Sequence, residues 1–173
     1  MSVLLRRATV DDLDAVMRLE RTTFADDAWP VEAMRREIAS PHTHYLVAVD
    51  DAAHDEVLAY AGLLVGGEQG DIQTIAVAPA ARGMGLGRGL MHALITEARR
   101  RGIATLFLEV RADNPIARNL YRSLGFEEIG VRPRYYRHGI DAIMMRLAVP
   151  GAVTRPADGA ADAAGGDVDR SRA

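Results

Sequence analysis

The chain has 173 residues, 49% hydrophobic and 26% charged, a globular composition that suits one domain and excludes a disordered or fibrous chain. Its 21 basic residues are all Arg, against 24 acidic ones, and a formal net charge of −3 gives no electrostatic reason to expect a nucleic-acid binder. Cys is absent, which removes disulfides, thiolate metal sites and a cysteine acyl-enzyme; Lys is absent, which removes a Schiff base.

Val3 to Arg7 predicts a short strand. Thr9-Val10-Asp11-Asp12 resembles a capping box, and Leu13, Val16, Met17 and Phe24 then recur at helical spacing. A second helix is expected after Trp29-Pro30, ending near Ala39 before Pro41. Tyr45 to Val49 and Val57 to Val65 read as strands around a polar turn, and Asp71 to Val77 as a third, closed by Pro79. Leu86, Leu90, Ala93, Leu94 and Ala98 form an apolar stripe on a long helix, with Arg99 to Arg101 in its last turn and Gly102 as its left-handed stop. Thr105 to Val110 is a strand with Leu106, Leu108 and Val110 on one face. Asn114 as N-cap, Pro115 at the first helical position and Gly125 past the end frame another helix. Phe126 to Ile129 and Ile140 to Leu147 complete the strands, with a polar, Tyr-bearing loop between them. The order is β-α-α-β-β-β-α-β-α-β-β. Three successive strands in the middle argue for an α/β mixed, mostly antiparallel sheet flanked by helices and against a doubly wound parallel one. Residues 150–173 contain no aromatic, Leu, Ile or Met, so a disordered tail rich in Ala, Gly and Asp is expected there. Met1 to Arg7 has no signal-peptide core, and no apolar run reaches the ~20 residues of a membrane span. A cytoplasmic protein without a membrane partner is expected.

Arg82-Gly83-Met84-Gly85-Leu86-Gly87-Arg88 lies between a strand and the start of a long helix. Glycines there let backbone N–H groups converge, the helix N-terminus adds partial positive charge, and two arginines flank the nest. Such a loop suits a pyrophosphate. It is neither a Walker A loop, since no Gly-Lys-Ser/Thr follows, nor G-x-G-x-x-G. Alone, it is equally compatible with a flexible turn before a helix.

Arg82-x-x-Gly85-x-Gly87 resembles the Q/R-x-x-G-x-G/A acetyl-coenzyme A signature of the GNAT acetyltransferases, and the resemblance runs from about Leu4 to Leu147. Ile75 to Pro79, Leu108 to Asn114, Leu120 to Phe126 and the Arg-x-Tyr-Tyr around Arg134 to Tyr136 resemble the ribosomal-protein alanine N-acetyltransferases, the RimI type. The resemblance implies a single GNAT-like domain over residues 1–149, acetyl-CoA as cosubstrate, no metal, and a protein N-terminus as acceptor, that of a small-subunit ribosomal protein. It also implies that the backbone of Ile75, Ala76 and Val77 holds the acetyl and pantetheine part. Gly83, Met84, Gly85, Leu86, Gly87 and Arg88 would cradle the pyrophosphate, and Asn114 would contact the coenzyme, although its capping duty explains it equally well. A monomer or weak homodimer is expected.

Acetyl transfer from a thioester to an amine requires a proton acceptor for the amine and a proton donor for the departing thiolate. Without Cys, and with no serine beside a plausible base, direct attack in a ternary complex is the economical route. The resemblance places the catalytic glutamate at Glu109, on the strand face opposite Leu108 and Val110; from spacing alone it could equally face solvent or pair with Arg111. It places the acid at Tyr121, which could otherwise be a core aromatic beside Leu120 and Leu124. Trp29, Tyr135 and Tyr136 correspond to acceptor-side walls, with Asp26 or Asp27 available to attract an amine; hinge packing and solvated charge explain these residues as well. An α-amine, pKa about 7.7–8.0, is partly neutral near pH 7, whereas a Lys amine near ~10.4 starts roughly 4 kcal/mol away. One carboxylate suits the α-amine better. A Lys or small-amine acetyltransferase, or a non-catalytic acyl-CoA-binding module, stays open as an alternative.

Overall fold

A computed structural model describes residues 2–151; the expected tail beyond lies outside the described residues. Strands β1 (Val3–Arg7), β2 (Thr43–Asp50), β3 (Ala53–Gly66), β4 (Gln69–Val77), β5 (Thr105–Arg111), β6 (Glu127–Tyr136) and β7 (Ile140–Ala148) form one sheet in the order β1-β2-β3-β4-β5-β7-β6. Helices α1 (Leu13–Phe24), α2 (Val31–Ala39), α3 (Leu86–Arg100) and α4 (Pro115–Ser123) complete the expected order. Every strand pair is antiparallel except β4–β5, which the α3 crossover makes parallel.

The central strands are buried on both faces, so they read as nearly unbroken apolar runs. In β2, Tyr45, Val47 and Val49 enter one core with Val16 and Met17 of α1 and Met34 and Ile38 of α2, while Leu46 and Ala48 enter the other with Leu90, Met91 and Leu94 of α3. Asp12 accepts the Thr9 N–H at 2.8 Å and pairs with Arg6 at 2.7 Å, which fixes the entry to α1. One polar residue interrupts the apolar stripe of α1. Glu20 is fully buried and accepts the Trp29 N–H at 2.8 Å and the Tyr60 hydroxyl, tying the α1–α2 connection to β3.

Two irregularities shape the site. Gly62 pairs with Thr74 but Leu63 pairs with Ile72, so Gln73 is an extra residue that bulges β4. Beyond it β4 and β5 part: their ladder runs only from Gln69–Thr105 to Ile72–Leu108. The β5-facing backbone of residues 75–77 is left without a strand partner in the ladder. The second irregularity corrects an expectation. The segment after Ile129, expected as a loop, continues as strand to Tyr136 with register shifts after Glu128 and Arg132. Pro133 is tolerated because β6 is an edge strand, where a missing N–H breaks no ladder on the open side.

Candidate active site

The loop expected to hold phosphate turns on two left-handed glycines into the start of α3. Gly83 and Gly85 adopt φ of 78° and 77°, left-handed values that favour glycine, and Gly85 is the N-cap of α3. The first helical bond runs from the Gly89 N–H to the Gly85 carbonyl at 2.9 Å. Helix geometry therefore leaves the N–H groups of Gly85, Leu86, Gly87 and Arg88 without an intrahelical acceptor, at the positive end of a 15-residue helix. A Cβ on Gly87 would stand 3.5 Å from Leu120 and 3.8 Å from Val77, between α4 and β4. Arg88 donates to the Ser123 hydroxyl at 2.9 Å, and Arg82 donates to the Val77 carbonyl at 3.4 Å.

These groups line a cavity of about 1070 Å³. One wall is Ile75, Ala76 and Val77 at the parting of β4 and β5; a second is the loop and the start of α3, with Gly83, Gly85, Leu86, Gly87 and Arg88. The third is Asn114 and α4, including Tyr121, and the fourth, on the far side of the sheet, is Phe24 to Asp27 with Arg111, Tyr136 and His138. Met84 does not line the cavity; its side chain is exposed. Asn114 does, while its Oδ1 accepts the Ala117 N–H at 3.2 Å, so it caps α4 and borders the cavity at once.

Tyr121 is 1% exposed and packs edge-on against Phe126 at 6.0 Å between ring centroids. Burial, with Tyr136 adding to it, pushes its phenol well above the ordinary tyrosine range. The hydroxyl therefore keeps its proton at neutral pH and can act only as a donor of it.

Glu109 sits elsewhere. It is 8% exposed, its Oε1 lies 3.2 Å from Arg132 Nε, and it lines a separate chamber of about 250 Å³ with Asp71, Phe107 and Met144. Arg111, two residues along the same strand face, lies in the larger cavity and binds Asp113 at 2.9 Å and Asp27 at 3.2 Å. The structure thus brings Tyr121 to the larger cavity and sets Glu109 on the smaller chamber.

The acceptor-side expectations divide. Tyr136 lines the cavity, 6% exposed, with the Arg111 guanidinium 5.4 Å above its ring. Tyr135 does not; it stacks edge-on against Tyr136 at 5.0 Å under Arg132. Trp29 is 7% exposed, packs in the α1–α2 core and does not line the cavity, and its N–H is held by the Glu20 carboxylate. Asp26 pairs with His138 at 3.0 Å, and Asp27 with Arg111 and, at 3.8 Å, Arg137. The hydrogen bond from His138 holds the Asp26 carboxyl below its usual range. Arg111 and His138 escaped the sequence reading. Two-residue periodicity along β5 places Arg111 beside Glu109, whereas nothing local couples His138 to Asp26, 112 positions away.

Among the described residues no group of three or more His, Asp or Glu could hold a metal ion, and no helix is long and apolar enough to cross a membrane.

The model of the acetyltransferase (GNAT) family matches residues 13–126. The chain is 41% identical over 150 residues to the N-alpha-acetyltransferase RimI of Mycobacterium tuberculosis, covering 83% of this chain and 91% of that one. It is 46% identical over 85 residues to the [ribosomal protein bS18]-alanine N-acetyltransferase of Escherichia coli, a match covering 47% of this chain and 57% of that one. An uncharacterised Mycobacterium leprae protein is also 41% identical, but the match spans only 40% of its length. The crystal structure of the ribosomal-protein-S18-alanine N-acetyltransferase from Escherichia coli superposes with a TM-score of 0.78 at 30% identity, covering 93% of this chain and all of that one. On the loop, the parted strands and these relatives together, the chain belongs to the GNAT acetyltransferase family, in its RimI-type branch.

Proposed function

We propose that the protein acetylates the α-amine of a protein N-terminus, using acetyl-CoA, and that its acceptor is the alanine terminus of a ribosomal protein of the bS18 kind. The acceptor comes from the names of the Escherichia coli relatives. The observation that carries the reading is the two-sided cavity, with a diphosphate cradle at one end and the charged, aromatic wall of Asp27, Arg111 and Tyr136 at the other. Such a shape takes a long donor from one side and an extended amine from the other.

The residues fit acetyl-CoA. The N–H groups of Gly85 to Arg88 and the cations Arg82 and Arg88 suit a diphosphate, and the unpaired β4 edge at 75–77 offers strand-like bonds to an amide-bearing arm. When bound, acetyl-CoA supplies an acetyl group activated as a thioester. Transfer to nitrogen removes two protons from the ammonium, one to free its lone pair and one as the amide forms; one ends on the departing sulfur and one goes to solvent. Glu109 Oε takes the first, through water, since it lies behind the cavity wall. Tyr121 Oη hydrogen-bonds the departing sulfur and relays the second proton to it; because a thiol pKa near ~8.5 lies below a phenol's, the relay leaves the tyrosine protonated. A ribosomal acceptor places the reaction in the cytoplasm, and with no Cys for an acyl-enzyme, transfer proceeds in a ternary complex.

The test is mass spectrometry of peptide reactions, with matched peptides carrying a free or a blocked N-terminus and an internal Lys. Acetyl on the α-nitrogen of the free peptide alone is expected. Labelling of Lys in the blocked peptide overturns the reading.

A further inference from the structure

The bulge in β4 is held from outside the strand. Tyr45 on β2, Gly62 on β3 and Thr74 on β4 are partners in register across three strands, and the extra residue, Gln73, adjoins Thr74. Gly62 has no side chain, so the Tyr45 ring can lie over β3; a Cβ there would collide with it. The Tyr45 hydroxyl thereby reaches past β3 and donates to Gln73 Oε1 at 2.8 Å, a buried bond. Gln73 Nε2 donates to Glu37 Oε2 of α2 at 3.3 Å. The Glu37 carbonyl in turn accepts the Thr43 hydroxyl at the start of β2. The side-chain amide of the extra residue is thus gripped by a strand and a helix, neither of which pairs with β4.

We infer that Tyr45 and Gln73 are positioning residues for the donor: their hydrogen bond fixes the bulge at residue 73, and with it which backbone groups of residues 75–77 face the gap between β4 and β5. This inference rests on the reading of that edge as the site of the amide-bearing arm. Along a strand the N–H and C=O groups alternate between the two edges, and an extra residue resets the alternation. A bulge displaced by one residue would aim the wrong groups into the gap and send the side chain between to the other face. The Tyr45 hydroxyl and the Glu37 carboxylate oppose that displacement, because the Gln73 amide, 5% exposed, would lose both partners away from water. Gly62 is the third part of the device, since only a bare backbone lets the ring cross β3.

The experiment is calorimetric binding of coenzyme A and of 3′-phosphoadenosine 5′-diphosphate, the fragment that keeps the diphosphate and lacks the arm, with kcat/KM for acetyl-CoA measured alongside. Tyr45→Phe keeps the ring over Gly62 and removes only the hydroxyl. It is expected to weaken coenzyme A binding about 5-fold or more and to lower kcat/KM by a like factor, with the fragment bound as in wild type. Gln73→Met removes both bonds at similar volume and is expected to lose at least as much, and the double variant to match Gln73→Met. Wild-type affinity for coenzyme A in Tyr45→Phe, equal losses for coenzyme A and the fragment, or additive losses in the double variant overturn this inference alone. Wild-type protein binding the fragment as tightly as coenzyme A instead overturns the reading of the β4 edge beneath it. NMR of the wild-type protein needs no variant: slow solvent exchange of the Gln73 side-chain amide is expected, and exchange at the rate of a free amide overturns the pinned bulge.

Discussion

In the proposed reaction, environment is what would divide acid from base between Tyr121 and Glu109. Tyr121 is sealed in an apolar wall that keeps its proton on, while Glu109 lies next to a guanidinium. Replacing Tyr121 with Phe keeps the ring against Phe126 and removes only the donor. The expected outcome is a fall in kcat of about 10²-fold with an unchanged melting temperature, and Glu109→Gln is expected to lose at least as much. Steady-state kinetics beside thermal melts check both; a rate loss that tracks a loss of stability means packing, not chemistry. Gly85 is a different kind of site. No atom lies within 4 Å of where its Cβ would be, so Gly85→Ala is opposed by conformation alone, at φ of 77°. That strain costs roughly 1–2 kcal/mol, and tilting the four free N–H groups raises KM for acetyl-CoA more than it lowers kcat. Calorimetric binding of coenzyme A measures it directly.

At the scale of elements, α3 carries the proposed donor cradle at one end and a charge cluster at the other. Glu97 accepts from Arg100 at 2.5 Å and Arg101 at 2.7 Å and lies 3.9 Å from His44 on β2. The Arg100 hydrogen bond is the largest cause that lowers its carboxyl pKa to about 2 from an ordinary 4.5. A depressed acid stabilises the fold fully above its unfolded pKa, and the contribution drains away as pH falls toward the folded value. Wild-type melting temperature is therefore expected to drop between about pH 4.5 and pH 2. Glu97→Gln should start lower at neutral pH and drop less over that window. Equal slopes for the two proteins would show that Glu97 is not the group being titrated. The other element-level joint is the α1–α2 connection, where Glu20 binds the Trp29 N–H and the Tyr60 hydroxyl. Residues 13, 17, 20 and 24 share one helical face, so a carboxylate at 20 in an otherwise apolar stripe is a sequence signal for a buried acceptor. The stripe of Leu13, Val16, Met17 and Phe24 passes over it. By contrast the part of β6 past Ile129 gave no signal. The strand's first eight residues are exposed, so no apolar alternation marks it, and Gly130, Pro133 and Arg134 imitate a loop.

For the molecule as a whole, donor binding and stability are linked, because the cradle exists only in the folded chain. Coenzyme A at about 100 times its Kd adds roughly 2.7 kcal/mol, and a domain of this length gains ~2–4 °C per kcal/mol. A rise of about 5–10 °C is expected with acetyl-CoA and almost none with the pantetheine arm lacking the diphosphate, read by differential scanning fluorimetry. Equal shifts with both compounds would place the binding energy outside residues 83–88. What the sequence determined by itself are features with local causes: helices with their caps and stops, the strand order β-α-α-β-β-β-α-β-α-β-β, and a glycine nest whose positive φ angles few other residues adopt. Tertiary structure alone decided which side chains share a space. The bulge at Gln73 parts β4 from β5, strand register puts Asp71 and Glu109 on one small chamber and the fold puts Tyr121 on the larger cavity, and Asp26 meets His138, 112 positions away in the chain. The reason is that a one-residue change of register sends a side chain to the opposite face, and register is set by contacts far apart in the chain.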